Sequence, residues 1–505
     1  MNTSLRNYWS LYLDFLNDFK DLTYSGYSIA YLFCHFYSLV SNNTELWNSL
    51  SDKDFTRHIK SQVNDQKEIQ DAFYNYIQKH KGKSVTKSKH GKVVFHQDKL
   101  LRISRPSIMR IFHPSQTMIV HAGINKSAIK VKSARRKKPN KAKVLIGNHA
   151  VKKKKPKTPV PVKKTSHTVP TYYLTNYPIE TEKVVTQVQN KARKIIASHK
   201  NHPVYKNQNF QSYFLNMIAE IIKRIEQSRQ FLNDKHVSCL VVSTTHGYIS
   251  RILSLVAAEK GIPTICMQHG IIASEFGYIP KIATVDAVYG DFEAEWYKKL
   301  GAPDVSLEII GHPRFDQAFS RPTIERERFN NHLGLDNSKQ TLMIVIRENQ
   351  DNGKWRTLIE TIGKLNLNVV IKNYPSKTPH PLTKEFSFVY STAGYSIYDI
   401  FPNVDAVVSY ASTVGLEAML SKKPVFILNN HFPGYTGYYN ELDKLVQTNP
   451  RILGKIIIDY FSDPSFKCYV EKKQKQFLGS AYPDVSHSGE RLQKLVKRIT
   501  RNTVS

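Results

Sequence analysis

The sequence predicts an α/β protein in which two parallel-sheet units follow one another and face each other across a cleft. Three observations lead there. From residue 237 onward, short apolar runs alternate with segments of helical periodicity. The runs VSCLVVST, IPTICMQ, ATVDAVYG and VSLEIIG are rich in Val and Ile and lack polar alternation. That is the pattern of strands buried on both faces, hence of a parallel sheet flanked by helices. The rhythm breaks once, at SRPTIERERFNNHLGLDNSKQ, and resumes with TLMIVIRE, LNVVIKNYP, FSFVYS, VDAVVSY and KPVFIL. Two such units place a ligand between them, at the carboxyl ends of their strands.

With 505 residues the chain exceeds one ordinary domain. Residues 1–125 read as a helix-rich N-terminal region with short strands. Tyr8, Leu11, Tyr12, Phe15 and Phe19 share a helical face, and Asp14 and Asp18 interrupt the apolar pattern. This start reads as an amphipathic helix of a folded domain, not a signal peptide. The β-like runs KVVFHQ and IMRIFHPSQTMIVHAG come next. A basic Lys/Pro-rich insert occupies 126–166 and is expected to be disordered. Residues 167–322 form the first Rossmann-like domain, with helices over 181–199 and 209–231 and a strand at 264–267. Residues 323–486 form the second, and 487–505 a terminal helix. No run of about eighteen apolar residues exists, which argues against a membrane-spanning helix. Cys34, Cys239, Cys266 and Cys468 are scattered without paired spacing. That usage points to a reducing, cytoplasmic compartment.

The formal net charge of +32 is concentrated. No Asp or Glu occurs between Lys99 and Ile179, a stretch holding about twenty Lys and Arg. Such a segment attracts anionic lipid headgroups, acidic glycan or nucleic acid, or simply raises solubility. Nucleic-acid binding is disfavoured as the main role, because the insert lacks the interleaved aromatics of a base-stacking platform.

The densest chemical signal lies in VDAVVSYASTVGLEAMLSKKPVFIL, residues 404–428. A strand ends at Tyr410, and Ser412 and Thr413 cap the helix that follows. A helix start offers free N–H groups and positive dipole to a phosphate. Gly415 is expected to let a ligand approach, and Glu417, one turn on, to accept from a ribose diol. A plain N-capped helix with an exposed Glu explains the same residues. Arg347 closes the strand TLMIVIR, where a guanidinium can hold a pyrophosphate in bidentate fashion.

The Ser-Thr-x-Gly-x-Glu-Ala helix start followed by Lys-Pro-Val resembles the donor-nucleotide site of GT-B glycosyltransferases. MQHG, YGDFEAEWYKKLGAP and IIGHPRFDQ resemble the branch containing capsule-polysaccharide transferases and CDP-glycerol glycerophosphotransferases. The resemblance covers about 235–485 and implies a GT-B-like fold. It places Gln268, His269 and Gly270 over the cleft, with His269 as general base or as a partner of the donor phosphates. A satisfied strand-end histidine is the ordinary alternative. His312 and Arg314 match a hinge element, with Arg314 facing phosphate or pairing with Asp316. Lys372 matches a Lys-x-His-Pro lysine, but Tyr374 stands where the family has histidine, a departure that leaves its role open between stacking and hydrogen bonding. Ser396, Tyr398 and Asp399 precede the nucleotide loop. His246, in THGYIS, is a candidate acceptor contact.

The expectation is a cytoplasmic transferase, peripheral at the inner membrane face. It moves a sugar or polyol phosphate from a nucleotide-activated donor to a glycan or lipid-linked acceptor of a bacterial surface polymer. The donor is a substrate, and no further cofactor is implied. No phosphate-loop, His-Glu-x-x-His or paired-cysteine pattern indicates a metal, and residues 126–166 would meet an anionic membrane. Two alternatives stand beside it. A non-hydrolysing nucleotide-sugar 2-epimerase shares the fold but needs several cleft carboxylates, of which only Glu275 is a candidate near His269. An inactive GT-B-like scaffold would bind polyanions through the insert.

Overall fold

The computed structural model describes residues 1–82, 91–123, 168–348, 350–374, 376, 378–430, 434–483 and 486–502. The basic insert expected at 126–166 lies outside the described residues.

Strands β1 (Thr23–Tyr24) and β2 (Tyr27–Ser28) form a small antiparallel hairpin. The first large sheet contains β3 (Lys92–His96), β4 (Thr117–His121), β5 (Thr171–Tyr173), β6 (Val237–Val242), β7 (Thr264–Met267), β8 (Val285–Val288) and β9 (Leu307–Ile309). Its order is β5-β4-β3-β6-β7-β8-β9, and every pairing is parallel. The second contains β10 (Gln340–Arg347), β11 (Leu367–Tyr374), β12 (Val389–Ser391), β13 (Ala406–Tyr410), β14 (Val425–Leu428) and β15 (Val446–Gln447). Its order is β12-β11-β10-β13-β14-β15, again all parallel. Each sheet winds outward, returns to its first strand and winds the other way, so strand order reverses beside β3/β6 and β10/β13. Such reversal points open the crevices in which doubly wound sheets hold ligands. Two such domains facing a shared cleft make the GT-B arrangement.

The first sheet corrects the expected division of the chain. The strands β3 and β4, assigned to a separate region 1–125, pair in one sheet with β6 from 167–322. Their place in this sheet is not evident from the runs KVVFHQ and IMRIFHPSQTMIVHAG, because each strand is five residues long and the insert separates β4 from β5. The helix Arg105–Ile111 takes up the first four residues of the second β-like run and is capped by the Ser104 hydroxyl accepting from the Ser107 N–H at 3.2 Å. Pro106 at its first turn suits that start.

Period-two burial explains the layers. Val94, Val120, Leu240 and Val242 face an aromatic-rich core shared with the helices Thr3–Asp18, Gln208–Asp234 and Tyr248–Glu259. Phe95, Val241 and Met267 face the other way and meet Leu492, Leu495 and Val496 of the terminal helix Ser488–Asn502. That helix therefore covers the first domain, although it follows the second in sequence. Asp14, inside the first helix, is buried because its carboxylate accepts the N–H groups of Lys60 and Ser61 at 2.7 and 2.6 Å.

The chain thus passes between domains twice. At the crossing, the His312 N–H donates to the Tyr482 hydroxyl at 2.9 Å. Gly311, at φ 69°, lies so close that a Cβ there would sit 2.2 Å from that hydroxyl.

Candidate active site

Between the domains lies a cavity of about 460 Å³. Its floor is the reversal point of the second sheet. There β13 ends at Tyr410, and the helix Thr413–Leu420 begins with Ser412 as its cap. The Ser412 hydroxyl accepts from the Val414 N–H at 3.3 Å, and Ser412 and Thr413 both line the cavity. Thr413 also has a second role. Its hydroxyl accepts the Ile271 N–H at 3.2 Å, joining the second domain to the loop that follows β7.

Glu417 is buried on the cavity wall and occupied at both oxygens. Arg314 donates to Oε1 at 2.9 Å, and the Tyr398 hydroxyl donates to Oε2 at 2.5 Å. Burial works against the Arg314 charge, but the Glu417 carboxylate together with Tyr289, Tyr398 and Tyr374 outweighs it and holds that pKa above its ordinary value. The guanidinium stacks over Phe315 at 4.8 Å, and its Nε is buried without a hydrogen-bond partner. The expected pairing of Arg314 with Asp316 does not form. Asp316 instead accepts the N–H groups of Ser488 and Gly489.

Lys372 and Tyr374, near the end of β11, line the same cavity. Burial lowers the Lys372 pKa despite the nearby Asp399 charge, and its ammonium donates to the Tyr395 carbonyl. Tyr374 is 36 % exposed, so a ring face is free at the mouth. Ser396 lines the cavity and caps the short helix Ile397–Ile400 together with Asp399.

The first domain contributes a residue the sequence reading missed. Arg102, in the loop after β3, lines the cavity opposite Ser412. Its φ of 51° is left-handed, a conformation uncommon outside glycine and typically held by surrounding structure. That structure is specific. Asp98 accepts the N–H groups of Leu100 and Leu101 at 2.8 Å each and the Ser243 hydroxyl at 2.6 Å. The buried His312 ring lies beside this loop, and its Nδ1 accepts the Arg314 N–H at 3.1 Å. Burial and the Arg314 charge push the His312 pKa well down. A signal for Arg102 was present: it follows the first strand of a doubly wound sheet, had KVVFHQ been read as that strand.

His269 follows β7 and is half-buried. Its ring stacks on Tyr278 at 5.0 Å between centroids. Burial, then the Arg102 charge, lowers its pKa to about 4, so the imidazole is neutral near pH 7. Gln268 fixes the loop from beneath. Its amide donates to the Gly270 carbonyl and to Glu293, both at 2.8 Å, and its oxygen accepts the Tyr289 N–H at 3.0 Å. A Cβ at Gly270 would lie 3.2 Å from the Thr413 hydroxyl, so the glycine keeps the two domains in contact.

Two expectations are corrected. Gly415 faces inward, where a Cβ would lie 2.8 Å from the Tyr439 hydroxyl and 3.0 Å from Ile427 Cδ1. It serves packing, not ligand approach. Arg347 ends β10 as expected but is exposed and lies outside the cavity lining. His246 sits behind His269 on the first domain, where burial and then the Arg251 charge push its pKa well down. Glu275, the candidate epimerase carboxylate, is tied to the Trp9 and Gln66 side chains at 2.5 and 3.0 Å. Among the described residues, no group of three His, Cys, Asp or Glu side chains is placed to hold a metal ion. None of their helices is long and apolar enough to cross a membrane.

No family model matches the chain. A lipid-A-disaccharide synthase from Syntrophotalea carbinolica is 26% identical over 196 residues, covering 36% of this chain and 49% of its relative. The chain therefore spans about half the length of the curated relative it matches. Among solved structures, a putative UDP-N-acetylglucosamine 2-epimerase from Listeria monocytogenes gives a TM-score of 0.48 at 10% identity, over 81% of this chain and 97% of that one. The Anabaena protein HepE, in complex with UDP and glucose, gives 0.45 at 11% identity, over 81% and 100%. The wall teichoic acid polymerase TagF gives 0.44 at 12% identity, over 87% and 94%.

Proposed function

We propose that the chain is a GT-B type glycosyltransferase that moves a sugar from a nucleoside-diphosphate donor to an acceptor hydroxyl. One observation carries the reading. Arg102 from one domain and the capped helix start at Ser412 from the other converge on a single cavity, with the neutral His269 imidazole held beside Arg102.

The diphosphate is held between the Arg102 guanidinium and the positive end of the helix at Ser412 and Thr413, with Lys372 within the same cavity. Tyr374 stacks on the base. The acceptor oxygen forms a bond to the anomeric carbon, and the bond from that carbon to the diphosphate oxygen breaks. The electron pair leaves with the nucleoside diphosphate, and the acceptor proton passes to the His269 imidazole. Arg102 stabilises the charge that develops on the leaving oxygen. A bound diphosphate also screens Arg102 from His269, which raises the imidazole's basicity when the donor is in place.

The epimerase reading needs free carboxylates in the cleft. Glu417 is the carboxylate lining the cavity, and Arg314 and Tyr398 occupy it. The insert at 126–166 is the segment suited to an anionic membrane face presenting a lipid-linked acceptor. Co-sedimentation of the full chain and of an insert deletion with anionic vesicles tests that part.

The donor site is tested by thermal-shift titration with UDP, CDP and GDP, since ligand bound to the folded state raises its melting temperature. At least one is expected to stabilise the protein, and CDP alone would favour glycerol phosphate transfer. Arg102→Ala should weaken diphosphate binding roughly 10- to 100-fold, the loss of a charge-assisted contact, and barely change binding of the nucleoside. No stabilisation by any nucleotide would overturn the proposal and favour the scaffold.

A further inference from the structure

A second cavity of about 220 Å³ lies in the first domain, outside the donor site. Its wall is aromatic and comes largely from the N-terminal helical layer. Tyr37 stacks on Phe276 at 4.3 Å and 20° between planes, and Tyr8 meets the Phe276 ring edge-on at 4.9 Å. Tyr37 is 39 % exposed and forms the mouth. At the inner end is Arg251, a guanidinium only 2 % exposed. It donates to the carbonyls of Thr245 and Tyr31 at 2.8 and 3.0 Å and lies over the Phe73 ring at 5.3 Å. Among the described residues no carboxylate forms an ion pair with it. A buried cation held only by neutral groups is costly, and an anionic ligand would compensate it. His246 and Gly277 line both this cavity and the narrow cleft holding His269, so an occupant reaches toward the reacting centre.

We propose that this cavity is the acceptor subsite and takes a sugar ring carrying an anionic group, a carboxylate or a phosphate. The ring lies against the Tyr37–Phe276 aromatic wall and the anion meets Arg251. The inference rests on the transfer reading, since it names that reaction's acceptor.

Calorimetric titration of the full chain with glucuronate, glucose 6-phosphate and glucose, with and without saturating UDP, tests it. At least one acidic sugar is expected to bind tenfold or more tighter than glucose, and which one distinguishes carboxylate from phosphate. Arg251→Met should abolish that preference while leaving UDP binding unchanged. If that variant does not fold, Tyr37→Ala at the mouth should weaken acidic-sugar binding at least fivefold with UDP binding intact. Equal binding of glucose and the acidic sugars, or UDP binding with no sugar bound, overturns the acceptor assignment and leaves the donor site standing. Acidic-sugar binding abolished by Arg251→Met, in a protein that binds no nucleotide, keeps the cavity and overturns the transferase.

Discussion

Gly415→Ala separates packing from ligand access at the most informative helix of the chain. The added Cβ would sit 2.8 Å from the Tyr439 hydroxyl. That hydroxyl cannot move freely, because it donates to the Ser412 carbonyl at 2.6 Å and accepts the Leu416 N–H at 3.0 Å. Disrupting both bonds costs about 2 kcal/mol, and overpacking against Ile427 adds about 1 kcal/mol. The alanine returns about 1 kcal/mol through helix propensity. The net expectation is a loss of about 2 kcal/mol, measured by urea denaturation without ligand. Tyr439→Phe removes the obstructing oxygen, so Gly415→Ala in that background should cost at least about 1 kcal/mol less. A neutral or stabilising Gly415→Ala with weakened nucleotide binding would refute the packing role and restore ligand approach as the reason for the glycine.

Glu417→Ala strands the Arg314 charge in the cavity wall and should cost roughly 3–5 kcal/mol in urea titrations, with Glu417→Gln milder; equal small losses would show that the pair is dispensable. His269→Asn should lower transfer by about 10²- to 10⁴-fold while nucleotide affinity stays within about threefold, measured by product assay and calorimetry. Burial lowers the His96 pKa from 6.5 to about 4. The unfolded chain therefore binds a proton that the native state refuses, and this residue's share of stability falls by about 3 kcal/mol as pH drops from 6.5 to 4. Burial raises the Glu293 pKa to about 8 and acts in the opposite sense between that value and its ordinary 4.5. The test is consequently differential: His96→Asn should flatten the acid limb of the stability curve relative to wild type, and parallel curves would contradict it.

The second domain was legible because strands buried on both faces write continuous apolar runs, and β10, β11, β13 and β14 do so over three to five residues each. The first domain was legible only from β6 onward. Its opening strands are short, and the long basic stretch separates β4 from β5, so nothing local announces that they share a sheet. The same limit hid Arg102. Among the many cations near it in sequence, its distinction lies in a partner far along the chain, Ser243, whose bond to Asp98 pins its loop. Gly415 was misread for a related reason. A glycine beside a capped helix start is compatible with either a bound ligand or a close neighbour, and Tyr439, supplied by a distant turn, decides between them. The Ser412 cap, by contrast, depends on residues two apart and could be read directly.

The double crossing of the chain, pinned by the His312–Tyr482 bond at 2.9 Å, has a mechanical corollary. A body joined to another by one strand can swivel and drift, whereas two attachments held side by side leave it little but a swing about the line through them, as with a door on paired pivots. Any opening between the two domains would then carry Arg102 away from Ser412 along one fixed arc, and shutting would return both to the same opposition each time.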